Sequence, residues 1–383
     1  MLAHRVQYFT ESVIREMTRL ANQYGAINLG QGMPDFDTPQ EVKDAACKAI
    51  QDGFNQYAIT WGAPVLRQAI AEKARRFNGI DCDPDRNITV CCGATECMMA
   101  SMLALVDPGD EVVVFQPFYE NYGPDALLTG AKPVWVHLHP PHWQFDPDEL
   151  RRAFSPRTKA VIVNTPNNPT GRVFTREELG QIAELCQEFD AYALADEIYE
   201  YIQYTDRPHI SIATLPGMAE RTVTISGLSK TFSMTGWRLG YCVASAAITD
   251  GIRKAHDFLT VGAPHPLQVA GAAALALPQS YFDSLRESYR RRREILLGYL
   301  RQAGFEFQEP EGAYYVMTDV ENLGGTDDTE FVRQMIREIG VSAVPGGSFY
   351  APRSQGRTKV RFMWAKRDET LHQAGERLLR LKR

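Results

Sequence analysis

Five short apolar runs in this chain end in groups that could do chemistry. Lys230 follows the run RTVTIS after three further residues, and Arg238 stands eight positions beyond it. Asp196 closes AYALAD, with Tyr199 three residues on. Asn168 lies in NTPNNPTG after KAVIV, and Phe118, Tyr119 and Tyr122 lie in QPFYENY after DEVVVF. Gly93-Ala94-Thr95 follows NITVCC and opens an amphipathic stretch. Each feature has a plain reading. A loop lysine can be solvated, a threonine or aspartate can cap a helix, Asn-Pro pairs fix turns, and rings beside a sheet are often core. Together the groups do more. They offer an anion cradle at a helix start, a ring to stack, an amide with a phenol, a carboxylate whose burial needs a cation, and a lysine with an arginine.

The elements that position these groups are legible as well. From about residue 85 to 245, NITVCC, DEVVVFQ, KPVWVHL, KAVIVN, AYALADE, RTVTIS and YCVAS read as strands, with helices such as TECMMASMLALV and TREELGQIAELCQEF between them. That alternation predicts an α/β fold, a mainly parallel sheet covered on both faces. Ligand groups gather at the carboxyl ends of such strands. After an Arg-rich helix over Tyr281 to Arg301, the runs FEFQEP, AYYVMTDV and TKVRFMWA predict a smaller α+β domain, with a boundary near residue 280.

A planar, phosphorylated, protonatable heterocycle carrying an aldehyde answers the whole set, and pyridoxal 5′-phosphate is such a molecule. Its phosphate takes helix N–H groups, hydroxyls and an arginine. Its ring nitrogen takes a carboxylate, its ring oxygen takes Asn and Tyr donors, and its aldehyde takes a lysine amine. Lys230 is then the covalent anchor and Arg238 the cation for phosphate.

GLSKTFSMTGWRLG, Gly227 to Gly240, resembles position by position the lysine motif of class I and II pyridoxal-phosphate aminotransferases of fold type I. NNPTG and DEIY resemble the accompanying motifs, and the likeness runs from INLGQGMPDF, Ile27 to Phe36, to VRFMWA, Val360 to Ala365. NLGQGMPDF and NQY are similar to the kynurenine, methionine and aromatic amino acid subgroup. The resemblance implies a large domain over residues 31–280 with a seven-stranded, mainly parallel sheet. It also implies a small α+β domain over 281–383, joined by an N-terminal arm, 1–30, that partly belongs to it. Residue by residue, it implies that Ala94 and Thr95 bind phosphate and that Tyr119 stacks on the ring. Asn168 and Tyr199 reach the ring oxygen, and Asp196 pairs with the ring nitrogen. Gly32, Asn168 and Arg361 contact the substrate carboxylate, Arg361 bidentately. Tyr57 reaches the neighbouring subunit's cofactor, which makes a homodimer with shared sites. One departure stands out. Many relatives carry a phosphate-binding serine where this chain has Gly227, so Ser229, or Ser226, supplies that hydroxyl.

The implied reaction is ping-pong transamination between amino acids and 2-oxo acids, with Lys230 moving the substrate's α-proton. β-Elimination from cysteine conjugates, or synthesis of a cyclopropane amino acid from S-adenosylmethionine, starts from the same carbanion. A transcription regulator with an aminotransferase-like domain would need a DNA-binding module ahead of residue 27. The wall candidates Ile14, Tyr57, Tyr119 and Phe349 are apolar or aromatic, and no motif marks a second cation. Aromatic, methionine-type or glutamine-type donors are therefore expected.

Bulk properties narrow the alternatives. A chain of 383 residues exceeds one ordinary core. A formal net charge of -6 gives no electrostatic footprint for nucleic acid, and no apolar run has the length to span a bilayer. Seven cysteines without a C-x-x-C pair read as reduced thiols, and so as a cytoplasmic protein. No His/Cys cluster has zinc spacing. HLHPPH, His137 to His142, reads as a proline-broken loop, so no metal is expected.

Overall fold

The computed structural model describes residues 12–382. The first part of the expected N-terminal arm, residues 1–11, lies outside the described residues. Helix α1, Val13–Tyr24, leads to a two-residue strand β1, Ile27–Asn28. Helices α2, Gln40–Gln51, and α3, Pro64–Lys73, precede the main sheet.

That sheet has the seven strands expected from the apolar runs. They are β2 Ile88–Cys91, β3 Glu111–Gln116, β4 Lys132–His137, β5 Thr158–Asn164, β6 Tyr192–Asp196, β7 Thr222–Gly227 and β8 Gly240–Val243, in the spatial order β2-β8-β7-β6-β5-β3-β4. Only β8 runs against its neighbours. Every residue of β3 and β7 is buried, which is why such strands read as unbroken apolar or small-residue runs. Strand β4 lies at an edge, is half-buried, and tolerates Pro133 there. Helix α4, Ala94–Leu105, is apolar all round because it is packed between the sheet and the helix Ala246–Thr260. Helix α5, Tyr122–Thr129, follows β3.

The consequence for function is topological. Strands β3, β5, β6 and β7 run the same way, so Gln116, Asn164, Asp196 and Gly227 finish on one edge of the sheet.

The long helix Gln279–Ala303 covers the predicted Arg-rich segment. Beyond it come β9 Glu306–Phe307, β10 Tyr315–Asp319, β11 Val341–Ser342, β12 Val344–Pro345 and β13 Lys359–Met363. Strands β12-β13-β10-β9 form an antiparallel sheet, and β1 pairs in parallel with β11 through Ile27↔Val341. The α1 residues Val13 and Met17 share a core with Leu296, Val316, Phe362 and Trp364. Helix α1 and β1 are thus held by the C-terminal part of the chain. Among the described residues no helix is long and apolar enough to cross a membrane.

Candidate active site

A cavity of about 530 Å³ opens at the carboxyl edge of the large sheet, between it and the C-terminal sheet. It is lined by Gly32, Ala94, Thr95, Tyr119, Asn168, Asp196, Tyr199, Ser229, Lys230, Arg238 and Arg361, together with groups named below. All the expected site residues but one therefore converge. The exception is Tyr57, which does not line this cavity and is 84% exposed.

Lys230 stands just past β7. Its Nζ makes one long hydrogen bond, 3.3 Å, to the Gly32 carbonyl, and lies 5.9 Å from the Tyr199 ring centroid. No carboxylate of the described residues pairs with it. Burial pulls its pKa below the usual lysine value, and the guanidinium groups of Arg361 and Arg238 pull the same way, against the opposing pull of Tyr315 and Asp196. The lysine is tuned towards a neutral, nucleophilic amine.

Asp196 ends β6 and is buried. Its Oδ2 accepts from the Tyr122 hydroxyl at 2.7 Å and its Oδ1 from the Ile198 amide at 3.2 Å. It folds a local turn and caps no helix. Burial raises its pKa, only partly countered by those two donors and by Lys230. Such an acid calls for a cation. Tyr122, one of three candidate stacking rings by sequence, is instead the phenol that holds Asp196.

Arg361, on β13, is 1% exposed, which disposes of a surface-strand reading. Its Nη1 donates to Asn168 Oδ1 at 2.7 Å and its Nη2 to the Gly30 carbonyl at 2.6 Å, while Nε has no partner among the described residues. Its guanidinium carbon lies 4.2 Å from the Tyr315 ring centroid and 4.8 Å from that of Phe349. A planar cation is thus fixed by two hydrogen bonds and two rings, with no acid to neutralise it among the described residues. Phe349, expected as a cavity wall, is fully buried and serves as one face of that arginine's slot. Tyr315, which the sequence reading did not single out, lines the cavity and accepts from the Tyr199 hydroxyl at 3.1 Å.

At the other end of the cavity, Gly93 is the residue before α4, with φ +86°, and no side chain caps that helix. Thr95 is therefore not the cap. A Cβ on Gly93 would lie 2.5 Å from Arg238 Nη2, and one on Gly240 would lie 2.4 Å from the Ala94 nitrogen. Bare backbone is what lets Arg238 lie against the helix start. Glu96 in the first turn of α4 accepts from His256 and from the Thr260 hydroxyl, both at 2.7 Å. His256 Nε2 lies 2.9 Å from the Thr60 carbonyl, so both ring nitrogens face acceptors. Although burial lowers the pKa of His256, Glu96 more than offsets it and the net shift is upward.

Ser226 donates to Glu200 at 2.6 Å, on the side of β7 away from the cavity, whereas Ser229 lines the cavity. Of the two serines, only Ser229 can face a ligand there. A Cβ on Gly227 would lie 2.8 Å from the Leu239 carbonyl oxygen, so this backbone has no room for the serine that many relatives carry.

Comparison with known proteins follows the same lines. The sequence profile of the family "Aminotransferase class I and II" matches residues 24–378. The chain belongs to that family. It is 40% identical to the probable N-succinyldiaminopimelate aminotransferase DapC of Mycobacterium tuberculosis, over 99% of this chain and 98% of that one. It is 38% identical to the methionine aminotransferase of Escherichia coli, over 97% and 96% of the two chains. Among solved structures, the N-succinyldiaminopimelate aminotransferase of Mycobacterium tuberculosis superposes with a TM-score of 0.96 at 40% identity, covering all of both chains. The protein is an aminotransferase with an α/β fold of fold type I, and it depends on pyridoxal 5′-phosphate.

The residues present fit that cofactor. Among the described residues, a lysine amine without an acid partner, a buried acid without a paired cation, an arginine against a helix start and a second, unneutralised buried arginine match its aldehyde, ring nitrogen and phosphate, and a substrate carboxylate, in turn. When bound, the cofactor supplies an electron sink for charge that develops at the substrate's α-carbon.

Proposed function

We propose that this aminotransferase moves an amino group from an L-amino acid with an aromatic, methionine-type or glutamine-type side chain to a 2-oxo acid by a ping-pong mechanism. Lys230 would hold the cofactor covalently, and its freed amine would take up and return the proton of the substrate's α-carbon. Asp196 keeps the ring nitrogen protonated, with Tyr122 orienting it. Asn168 and Tyr199 serve the ring oxygen, and Tyr119 covers the ring face. Ala94, Thr95, Ser229 and Arg238 hold the phosphate. Arg361, with Asn168 and Gly32, grips the substrate's α-carboxylate. The observation that carries this reading is the pairing of opposites across one cavity: a lysine pushed towards its neutral form faces a buried acid and a buried guanidinium, none of them neutralised within the described residues.

A cation at the cavity mouth bears on the acceptor. Arg15, on α1, lines the cavity with Gln31 and Glu120 and forms no ion pair among the described residues, while Glu120 accepts from the Ser12 hydroxyl at 2.6 Å. This supports a dicarboxylic 2-oxo acid as acceptor beside apolar donors, and some relatives carry oxoglutarate in their names. A homodimer with shared sites is supported by Tyr57, exposed here and flanked by half-exposed Phe54 and Ile59. Seven free thiols support a cytoplasmic setting. A panel of amino donors against one 2-oxo acid, read by the product amino acid, tests the substrate class. Turnover confined to aspartate and glutamate as donors contradicts it.

A further inference from the structure

Asp125 is a buried acid with no role in holding the cofactor or the substrate carboxylate. It lies in the first turn of α5, three residues after Tyr122, and lines the cavity with Tyr119, Tyr122, Met98 and Asp196. It is 6% exposed, and its Oδ2 is buried with no hydrogen-bond partner among the described residues. The cations of the cavity, Lys230, Arg238, Arg361 and Arg15, form no ion pair with it. An ionised carboxylate is disfavoured in such a place, so the group holds its proton to higher pH than a free carboxyl does. Burial alone pushes its pKa up to about 7.

The ionisable groups that face Asp125 are few. Tyr119 and Tyr122 feel its charge, and both also feel that of Asp196 at the end of β6. From α4 the cavity receives Ala94, Thr95 and Met98, none of them ionisable. Strands β3 and β4, which also pack on α5, contribute no lining residue. Glu120 lies further towards the mouth, bonded to Ser12. Asp125 and Asp196 are thus two buried acids lining one cavity, with the Tyr122 phenol bonded to the second. A cation bound at Asp196 lowers the cost of ionising the first.

We propose that Asp125 is a second ionisable carboxyl of the cofactor pocket, protonated in the cofactor-free chain and ionised when the protonated ring is bound. Its O–H bond breaks, the proton leaves to solvent, and the carboxylate charge adds to that of Asp196. Asp125 is then a positioning residue that acts on the ring through Asp196 and Tyr122. The inference rests on the placement of the ring nitrogen at Asp196.

Titration of the cofactor-free, full-length chain with pyridoxal 5′-phosphate tests it, comparing wild type with Asp125→Asn. At pH 6 wild type releases more protons per cofactor bound than the variant does, by calorimetry in two buffers of different ionisation enthalpy. Between pH 6 and 8 the cofactor dissociation constant of wild type falls about tenfold relative to that of the variant. Equal proton counts with parallel pH dependences overturn the proposal. Should the variant fail to fold, infrared difference spectra of wild type decide. A protonated carboxyl band lost on adding cofactor supports the proposal, and no such loss overturns it. A chain that binds no cofactor at Lys230 contradicts the proposed function itself, whereas binding with unaltered proton linkage contradicts only the role of Asp125.

Discussion

Asp196 and Glu197 are neighbours in sequence and opposites in environment. Asp196 faces the cavity and has hydrogen-bond donors but, among the described residues, no paired cation. Glu197 points to the other side of the sheet, where its Oε2 meets His209 Nε2 at 2.8 Å and Asn78 Nδ2 at 3.1 Å. Glu200, one turn on, meets Lys73 Nζ at 2.5 Å, Ser226 Oγ at 2.6 Å and Asn78 Nδ2 at 2.7 Å. Lys73 and Glu200 are each 3% exposed at the side chain. This rear cluster ties α3 to the turn after β6 and to β7, the strand that leads to Lys230. On one side of the strand ends, Lys73 pairs with Glu200 within the chain and the cluster braces it. The other carries buried charges that only a ligand can balance. Where a protein keeps a buried charge unpaired, function is the economical explanation.

The comparison can be broken most directly at Asp196. Asp196→Ala should lower the turnover rate by orders of magnitude, each factor of ten being about 1.4 kcal/mol of barrier. The same change should leave the urea midpoint of the cofactor-free chain equal or higher, because a strained acid is removed. Asp196→Glu should keep more activity than Ala. Equal loss in both variants reduces Asp196 to a turn-forming role.

Glu200→Ala is the mirror experiment. It strands Lys73 without its partner in a buried site and should cost about 3–5 kcal/mol of stability in urea denaturation. Cofactor contacts are untouched, so kcat of the folded fraction should change far less. Unchanged stability contradicts a bracing role.

Arg361→Lys keeps charge but loses the paired N–H geometry. Catalytic efficiency should fall about tenfold to a hundredfold, equally for every donor, since all share the α-carboxylate. A loss confined to some donors places Arg361 at the side-chain end instead.

A smaller effect is expected at the phosphate end. His256 has a raised pKa, so the stability it contributes is full below its ordinary value of 6.5 and fades as pH rises through the raised value. Glu96 is shifted down, burial opposing and His256 with the Cys92 amide prevailing, so its contribution is full above 4.5 and fades on acidification. The stability difference between wild type and His256→Gln, read from urea denaturation, should therefore be widest at about pH 5–6 and shrink towards pH 9, by on the order of 1 kcal/mol. A difference that grows towards pH 9 contradicts the pairing.

What the sequence revealed follows the same division. The seven large-sheet strands were legible because parallel strands covered on both faces leave unbroken apolar runs such as DEVVVF. Lys230, Asp196 and Asn168 were legible because polar groups at the ends of such runs are conspicuous. Partners set by tertiary packing were not. Nothing local says that Tyr122 reaches Asp196 across 74 residues, that Phe349 lies under Arg361, or that Ser226 is taken by Glu200. Asp125 and Arg15 sit on helices in positions that an amphipathic pattern treats as ordinary surface. Their meaning appears only once the cavity is in view.

The central claim is that Lys230 is the residue that bonds the cofactor. Incubating the full-length chain with pyridoxal 5′-phosphate, reducing with borohydride and mapping peptides by mass spectrometry reads that bond directly. One pyridoxyl-phosphate adduct on the peptide bearing Lys230, absent from Lys230→Ala, is the expected result. An adduct at stoichiometric yield on another lysine, or none at all in a chain that turns over amino acids, would contradict the account.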